Sequence, residues 1–211
     1  MVFAVDGTNN VDWNAMRNFM VDVTQGLDVN SGRARVGVST FTDSVSVPIL
    51  INSVTQRESL LSLIRNLQKP RESAISNIES AIETSRNRQF QTLGDRQGIK
   101  NVLILLTDGG ASTPYNTLVS TAGLAWQDGI SIFAVGIGDR VRNEEIMGIS
   151  TPPQTMNQDY WLIRSFNDLR TLAPNMVNAV CQASTSTTPL PPPPSTQGMP
   201  FGERIFSLRV I

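Results

Sequence analysis

The sequence predicts an α/β fold: a doubly wound, mostly parallel central sheet with one antiparallel edge strand and helices on both faces. Three observations predict it. Apolar runs of strand length alternate along the chain with segments whose apolar residues recur at helical spacing. One of the runs, Val102 to Leu106, is continuously apolar, as a strand covered on both faces should be. Two other runs alternate apolar and polar residues and are joined by a short turn, the pattern of a hairpin.

The elements follow in order. Val2 to Val5 is a short apolar strand ended by Asp6-Gly7, and Met16, Phe19, Met20 and Val23 then mark a helix. Arg35 to Phe41 and Ser44 to Ile51 alternate on either side of Thr42-Asp43-Ser44, which places an antiparallel strand at one edge. Leu60, Leu61, Ile64 and Leu67 mark a second helix, with Pro70 as its stop. Ile75, Ile78, Ala81 and Ile82 mark a third. After Val102–Leu106, the residues Leu118, Ala122 and Ala125 indicate another helix, and Ile130 to Ile137 is the next buried strand. Tyr160 to Ile163 is a weaker strand, and Phe166, Leu169, Leu172, Met176 and Val180 line a last helix. A sheet of about six strands is expected, with Val2–Val5, Val102–Leu106 and Ile132–Val135 among its most buried segments.

Composition bounds the function. The chain has 211 residues, 40% hydrophobic and 17% charged, which suits one globular domain over residues 1–182. From 183 to 211 the composition turns to Ser, Thr and Pro, with Pro191 to Pro194 unbroken, and a disordered tail is expected there. A net charge of -1 with no basic run gives no reason to expect nucleic acid as a partner. No apolar stretch approaches the ~20 residues of a membrane span. The chain has no histidine and one cysteine, so a Ser-His-Asp triad, a Cys-His dyad and a Cys- or His-built zinc site are all excluded within it. No signal peptide precedes the first strand. Either the protein is intracellular or its N-terminus lies upstream.

Parallel sheets bind ligands at the carboxyl ends of their strands. The first strand ends in Asp6-Gly7-Thr8-Asn9-Asn10 and the long apolar strand ends in Thr107-Asp108-Gly109-Gly110. If these two strands are central, both aspartates emerge at one edge. Paired carboxylates repel unless a cation lies between them or one takes a proton. The hydroxyls of Thr8 and Thr107 add neutral oxygens, and such a set suits Mg²⁺. Taken singly, each Asp-Gly is more often a cap or turn.

These segments resemble the von Willebrand factor A domain family. Val2-Phe3-Ala4-Val5-Asp6-Gly7-Thr8 is similar to the family's first strand and metal loop. Leu103 to Gly109 resembles its central strand, and Ile130 to Gly138 the strand after it. The likeness spans about Val2 to Cys181, in the tone of extracellular-matrix members such as matrilins and non-fibrillar collagens. It implies a non-enzymatic adhesion or protein–protein interaction module with a metal-ion-dependent adhesion site. The family pattern Asp-x-Ser-x-Ser falls on Asp6, Thr8 and Asn10, where Thr keeps a hydroxyl and Asn replaces one. Ser76 matches the family's second-loop threonine, with Ser73 as second choice, and Asp108 matches its last aspartate. The implied ligands are therefore Asp6, Thr8, Asn10, Ser76 and Asp108, holding Mg²⁺ or Mn²⁺ weakly or not at all.

Further expectations follow from the resemblance. The protein is expected to be secreted into the extracellular matrix, as part of a larger multidomain chain, with matrix proteins such as collagen as partners. Matrix relatives often close the domain with a cysteine before the first strand and another after the last helix. Cys181 stands at the second place, which puts its partner upstream of Met1. The rival within the family is an intracellular scaffold in a multiprotein assembly. A haloacid dehalogenase-type phosphatase fits poorly, because its nucleophilic aspartate would fall at Ala4. Gly136-Ile137-Gly138 is not a dinucleotide loop, since the third glycine would fall at Val141, and no Gly-Lys-Ser/Thr of a P-loop occurs.

Overall fold

The computed structural model describes residues 1–91, 96 and 98–185. Six strands form one sheet: β1 (Val2–Asp6), β2 (Gly37–Phe41), β3 (Val45–Ile49), β4 (Asn101–Thr107), β5 (Ile130–Ile137) and β6 (Tyr160–Ile163). The strand order is β3-β2-β1-β4-β5-β6. All pairings are parallel except β2 with β3, which is antiparallel at the edge as the alternation predicts. The helices are α1 (Trp13–Gln25), α2 (Arg57–Arg65), α3 (Ile78–Thr84), α4 (Tyr115–Gln127), α5 (Asn143–Ile149) and α6 (Leu169–Thr185).

The pleat explains the two cores. Successive side chains of a strand point to opposite faces. Phe3 and Val5 pack in one core with Ile104, Leu106 and the apolar stripes of α1, α2 and α6. Val2 and Ala4 pack in the other, with Leu103, Leu105 and the stripes of α3, α4 and α5. Both faces of β1 and β4 are therefore dry, which is why these strands read as unbroken apolar runs. The three segments expected to be most buried are so.

Several details differ from the expectations. Helix α2 ends at Arg65, five residues before Pro70, and Asn66 closes it by donating its side-chain amide to the Ser62 carbonyl. Pro70 has another place: a Cβ on Gly7 would lie 2.4 Å from the Pro70 Cγ, so Pro70 packs directly on the loop after β1. Helix α3 starts at Ile78, capped by the Asn77 side chain, and leaves Ile75 exposed in the loop before it. A π-helical segment, Ser85–Phe90, follows α3, and the seven-residue α5 fits between β5 and β6; the sequence reading contained neither. A 3₁₀ turn over Phe166–Asp168 precedes α6, whose first apolar stripe residue is thus Leu169. Helix α6 runs to Thr185, slightly past the expected boundary at 182, and the Pro-rich tail lies outside the described residues. Cys181, the single cysteine of the sequence, is exposed.

The π-helical segment carries Gln89 into the interior. Its side-chain oxygen accepts the Ile51 N–H (2.9 Å) and its amide donates to the Ile49 carbonyl (3.0 Å), which fastens the end of edge strand β3. Replacing it by Leu leaves these buried backbone groups unpaired, at a cost of about 1–3 kcal/mol. Gln89→Leu is expected to lower the melting temperature by roughly 2–4 °C per kcal/mol lost for a domain of this size; an unchanged melt would remove this role for Gln89.

Candidate functional site

The carboxyl ends of β1 and β4 are neighbours, so Asp6 and Asp108 leave the sheet side by side at one edge. Both are buried, Asp6 fully and Asp108 to within 2%. Asp6 is enclosed by donors. The Thr8 N–H donates to its Oδ1 (2.9 Å), and the Thr107 and Ser76 hydroxyls donate to its Oδ2 (2.7 and 2.8 Å). Asp108 receives less: the Thr8 hydroxyl at 3.3 Å on Oδ1, and the guanidinium of Arg140 on Oδ2. Arg140 comes from the loop after β5, and its side chain is 47% exposed.

Backbone bonds knit the loops that carry these groups. The Gly7 N–H donates to Phe41 O (2.8 Å), tying the first loop to β2. The Asn9 N–H donates to Ser73 O (3.1 Å), and Asn77 N–H to Thr42 O (2.9 Å). The Ser112 N–H donates to Ser76 O (3.0 Å), which binds the loop after β4 to the loop before α3. Lys69 adds its ammonium to the carbonyls of Asn9 and Val11. The loop after β4 is latched a second time. Glu145, buried in α5, accepts the Ala111 N–H (2.8 Å) and pairs with Arg142 (2.6 Å). The stem of Arg142 lies so near Gly110 that a Cβ there would meet its Nε at 3.1 Å.

Of the residues expected in the site, Asp6, Thr8, Ser76 and Asp108 are brought together, and Ser76 rather than Ser73 supplies the second-loop hydroxyl. The Ser73 hydroxyl instead accepts the Ile75 N–H in its own turn. Asn10 is exposed on the turn after Thr8 and makes no hydrogen bond to the cluster among the described residues. Thr107 belongs to the cluster beside the expected set. Arg140 escaped the sequence reading; the only signal was its place two residues after Gly138, at the end of a buried strand.

The donor set is two carboxylates and three hydroxyls, with no nitrogen or sulfur ligand, and it fits a small hard cation that keeps part of its water. Among the described residues no three His, Cys, Asp or Glu side chains gather, so the charge available to a cation is that of the two aspartates. Burial, then the neighbouring Asp6 charge, raises the Asp108 carboxyl above the usual range, while Arg140 and Thr8 oppose the rise. The folded protein therefore binds this proton more tightly than the unfolded chain does. The contribution to stability is full below the unfolded-state pKa and is lost as the pH rises through the folded one. In chelator, Asp108→Asn is expected to raise the melting temperature at neutral pH, with an advantage that shrinks as the pH falls into the ordinary carboxylate range. A constant difference across a pH series of melts would contradict this.

Comparison with known proteins bears on the fold and its lineage. The family model for the von Willebrand factor type A domain matches residues 1–175. The collagen alpha-6(VI) chain of Mus musculus is 27% identical over 186 residues, covering 86% of this chain and 8% of its own length. Matrilin-1 of Mus musculus is 27% identical over 197 residues, covering 87% of this chain and 37% of its own. The chain thus spans well under half the length of these relatives. Among solved structures, proximal thread matrix protein 1 from the mussel byssus superposes with a TM-score of 0.75 at 21% identity, over 85% of this chain and 45% of the other. That structure is described as having a zinc-occupied metal-ion-dependent adhesion site.

Proposed function

The chain belongs to the von Willebrand factor type A domain family, and from that premise we propose that it is a non-enzymatic adhesion module of a secreted, multidomain matrix protein, working through a metal-ion-dependent adhesion site at the carboxyl edge of its sheet. The observation that carries the reading is the convergence of Asp6 and Asp108 with the hydroxyls of Thr8, Ser76 and Thr107. The relatives in collagen VI and matrilin support the matrix setting, and in this reading the partners are collagen or other matrix components.

In this reading Asp6, Thr8, Ser76 and Asp108 hold Mg²⁺ or Mn²⁺, and Asn10 stands at the rim. The ion would supply a coordination position for an acidic side chain of the partner. The protein's own part is to keep the oxygens fixed. Asp6 is oriented by three donors and cannot turn away without losing all of them. Asp108 has fewer bonds and more freedom to take up a cation. Thr8 bridges the two, with its N–H on one aspartate and its hydroxyl on the other. Ca²⁺, which takes six to eight oxygens, fits so small a set less well.

Two measurements test this reading. Binding to a collagen-coated surface, read by surface plasmon resonance, is expected to need Mg²⁺ or Mn²⁺ and to vanish in chelator. By titration calorimetry, Asp6→Ala is expected to abolish cation binding, and Asn10→Ser, which restores the family's hydroxyl, to tighten it several-fold. No heat from the wild type and none from Asn10→Ser at millimolar Mg²⁺ and Mn²⁺ would rule the metal out and leave adhesion to metal-independent surfaces.

A further inference from the structure

Arg140 sits where the site meets solvent, and its contact with Asp108 calls for a function. The two buried aspartates bring a formal charge of -2 to a region that water does not reach freely, and such a pair needs a counter-charge. Asp6 is stabilised by three uncharged donors. Asp108 has one hydroxyl and the Arg140 guanidinium, so the only positive charge touching either carboxylate among the described residues is supplied by the chain itself. That guanidinium occupies Oδ2, an oxygen that a cation at this site would also use.

The pairing is built to be reversible. The Asp108 end is buried, but the Arg140 side chain is half exposed and projects from a loop that begins at Gly138, where φ is +80°. Beside the loop lies an open hollow lined by Gly138, Asp139, Val141, Arg142, Asn143 and Glu144. Asp139 and Glu144 are exposed carboxylates on its wall, in the same short segment of chain as Arg140.

We propose that Arg140 is an internal counter-cation that competes with the divalent ion for Asp108, so that metal binding requires the guanidinium to swing away from the site. The inference rests on the metal-site reading above. It predicts weak cation binding by a set of ligands that is otherwise nearly complete. It also makes the charge of the site self-compensating: with the metal out, Arg140 covers Asp108, and with the metal in, the guanidinium stands free at the rim, where an acidic partner arrives.

The test is Mn²⁺ binding by the whole chain, read as loss of the free-ion electron paramagnetic resonance signal, for wild type, Arg140→Gln, Arg140→Lys and Arg71→Gln. The last removes the same charge from an exposed residue in the loop before α3, without touching Asp108. Arg140→Gln is expected to bind Mn²⁺ about tenfold more tightly than wild type, Arg140→Lys to fall between, and Arg71→Gln to shift binding less than about twofold, as a solvent-screened charge that does not touch Asp108 does. Binding by Arg140→Gln with none by wild type would also support competition. Circular dichroism checks folding, and if the Gln variant does not fold, the charge-retaining Lys variant carries the comparison. Equal or weaker binding by the Arg140 variants than by wild type overturns the inference and leaves the metal site standing. An equal gain in Arg71→Gln also overturns it, because the effect would then be general field and not contact. No binding by any of the four removes the metal site and this inference together.

Discussion

Everything at the carboxyl edge of the sheet depends on one electrostatic constraint: two aspartates are buried next to each other at the ends of adjacent parallel strands. Like charges in a poorly solvated place repel strongly, and the surrounding chain is arranged to contain that repulsion. Asp6 takes two hydroxyls and an amide. Asp108 takes a hydroxyl and a guanidinium. The donors come from four different places in the sequence, and the three loops that follow β1, precede α3 and follow β4 are fastened to one another by backbone hydrogen bonds. Around Asp6 rigidity is a requirement, since a hydroxyl or amide donor that drifts by an ångström leaves a buried charge uncovered.

The fold was legible because its physics is local. Strands dry on both faces must be apolar throughout, and Val102 to Leu106 announces itself in that way. The hairpin was legible because β2 and β3 flank a short polar turn. The site was legible in part. Asp6 and Asp108 could be paired from strand ends alone, whereas Ser76 required the family pattern, because nothing in residues 71–77 sets one hydroxyl apart from another. Asn10 was counted with the ligands on that pattern, yet it lies exposed on the turn beyond Thr8.

What the sequence hid has a common cause. Arg140, Gln89 and Glu145 act through long-range contacts that no spacing encodes. Arg140 reaches across from the loop after β5, Gln89 crosses to an edge strand about forty residues earlier, and Glu145 latches a loop on another strand. Helix α5 has only seven residues, too few for a periodic signal to stand out. Pro70 looked like a helix stop because proline is one, but the chain had already left the helix and used the ring as a wedge against Gly7.

The two margins of the sheet bear on how such units live together. Strand β3 forms one margin and carries Pro48, which has no N–H to offer an incoming strand, with Ser46 and Pro48 facing water. The opposite margin is β6, only four residues long. A sheet edge is a standing invitation to another chain, and crowding many copies along a fibre multiplies the chances of accepting it. Here neither margin offers a long run of free backbone donors. Neither edge is therefore a ready template for strand pairing with another copy.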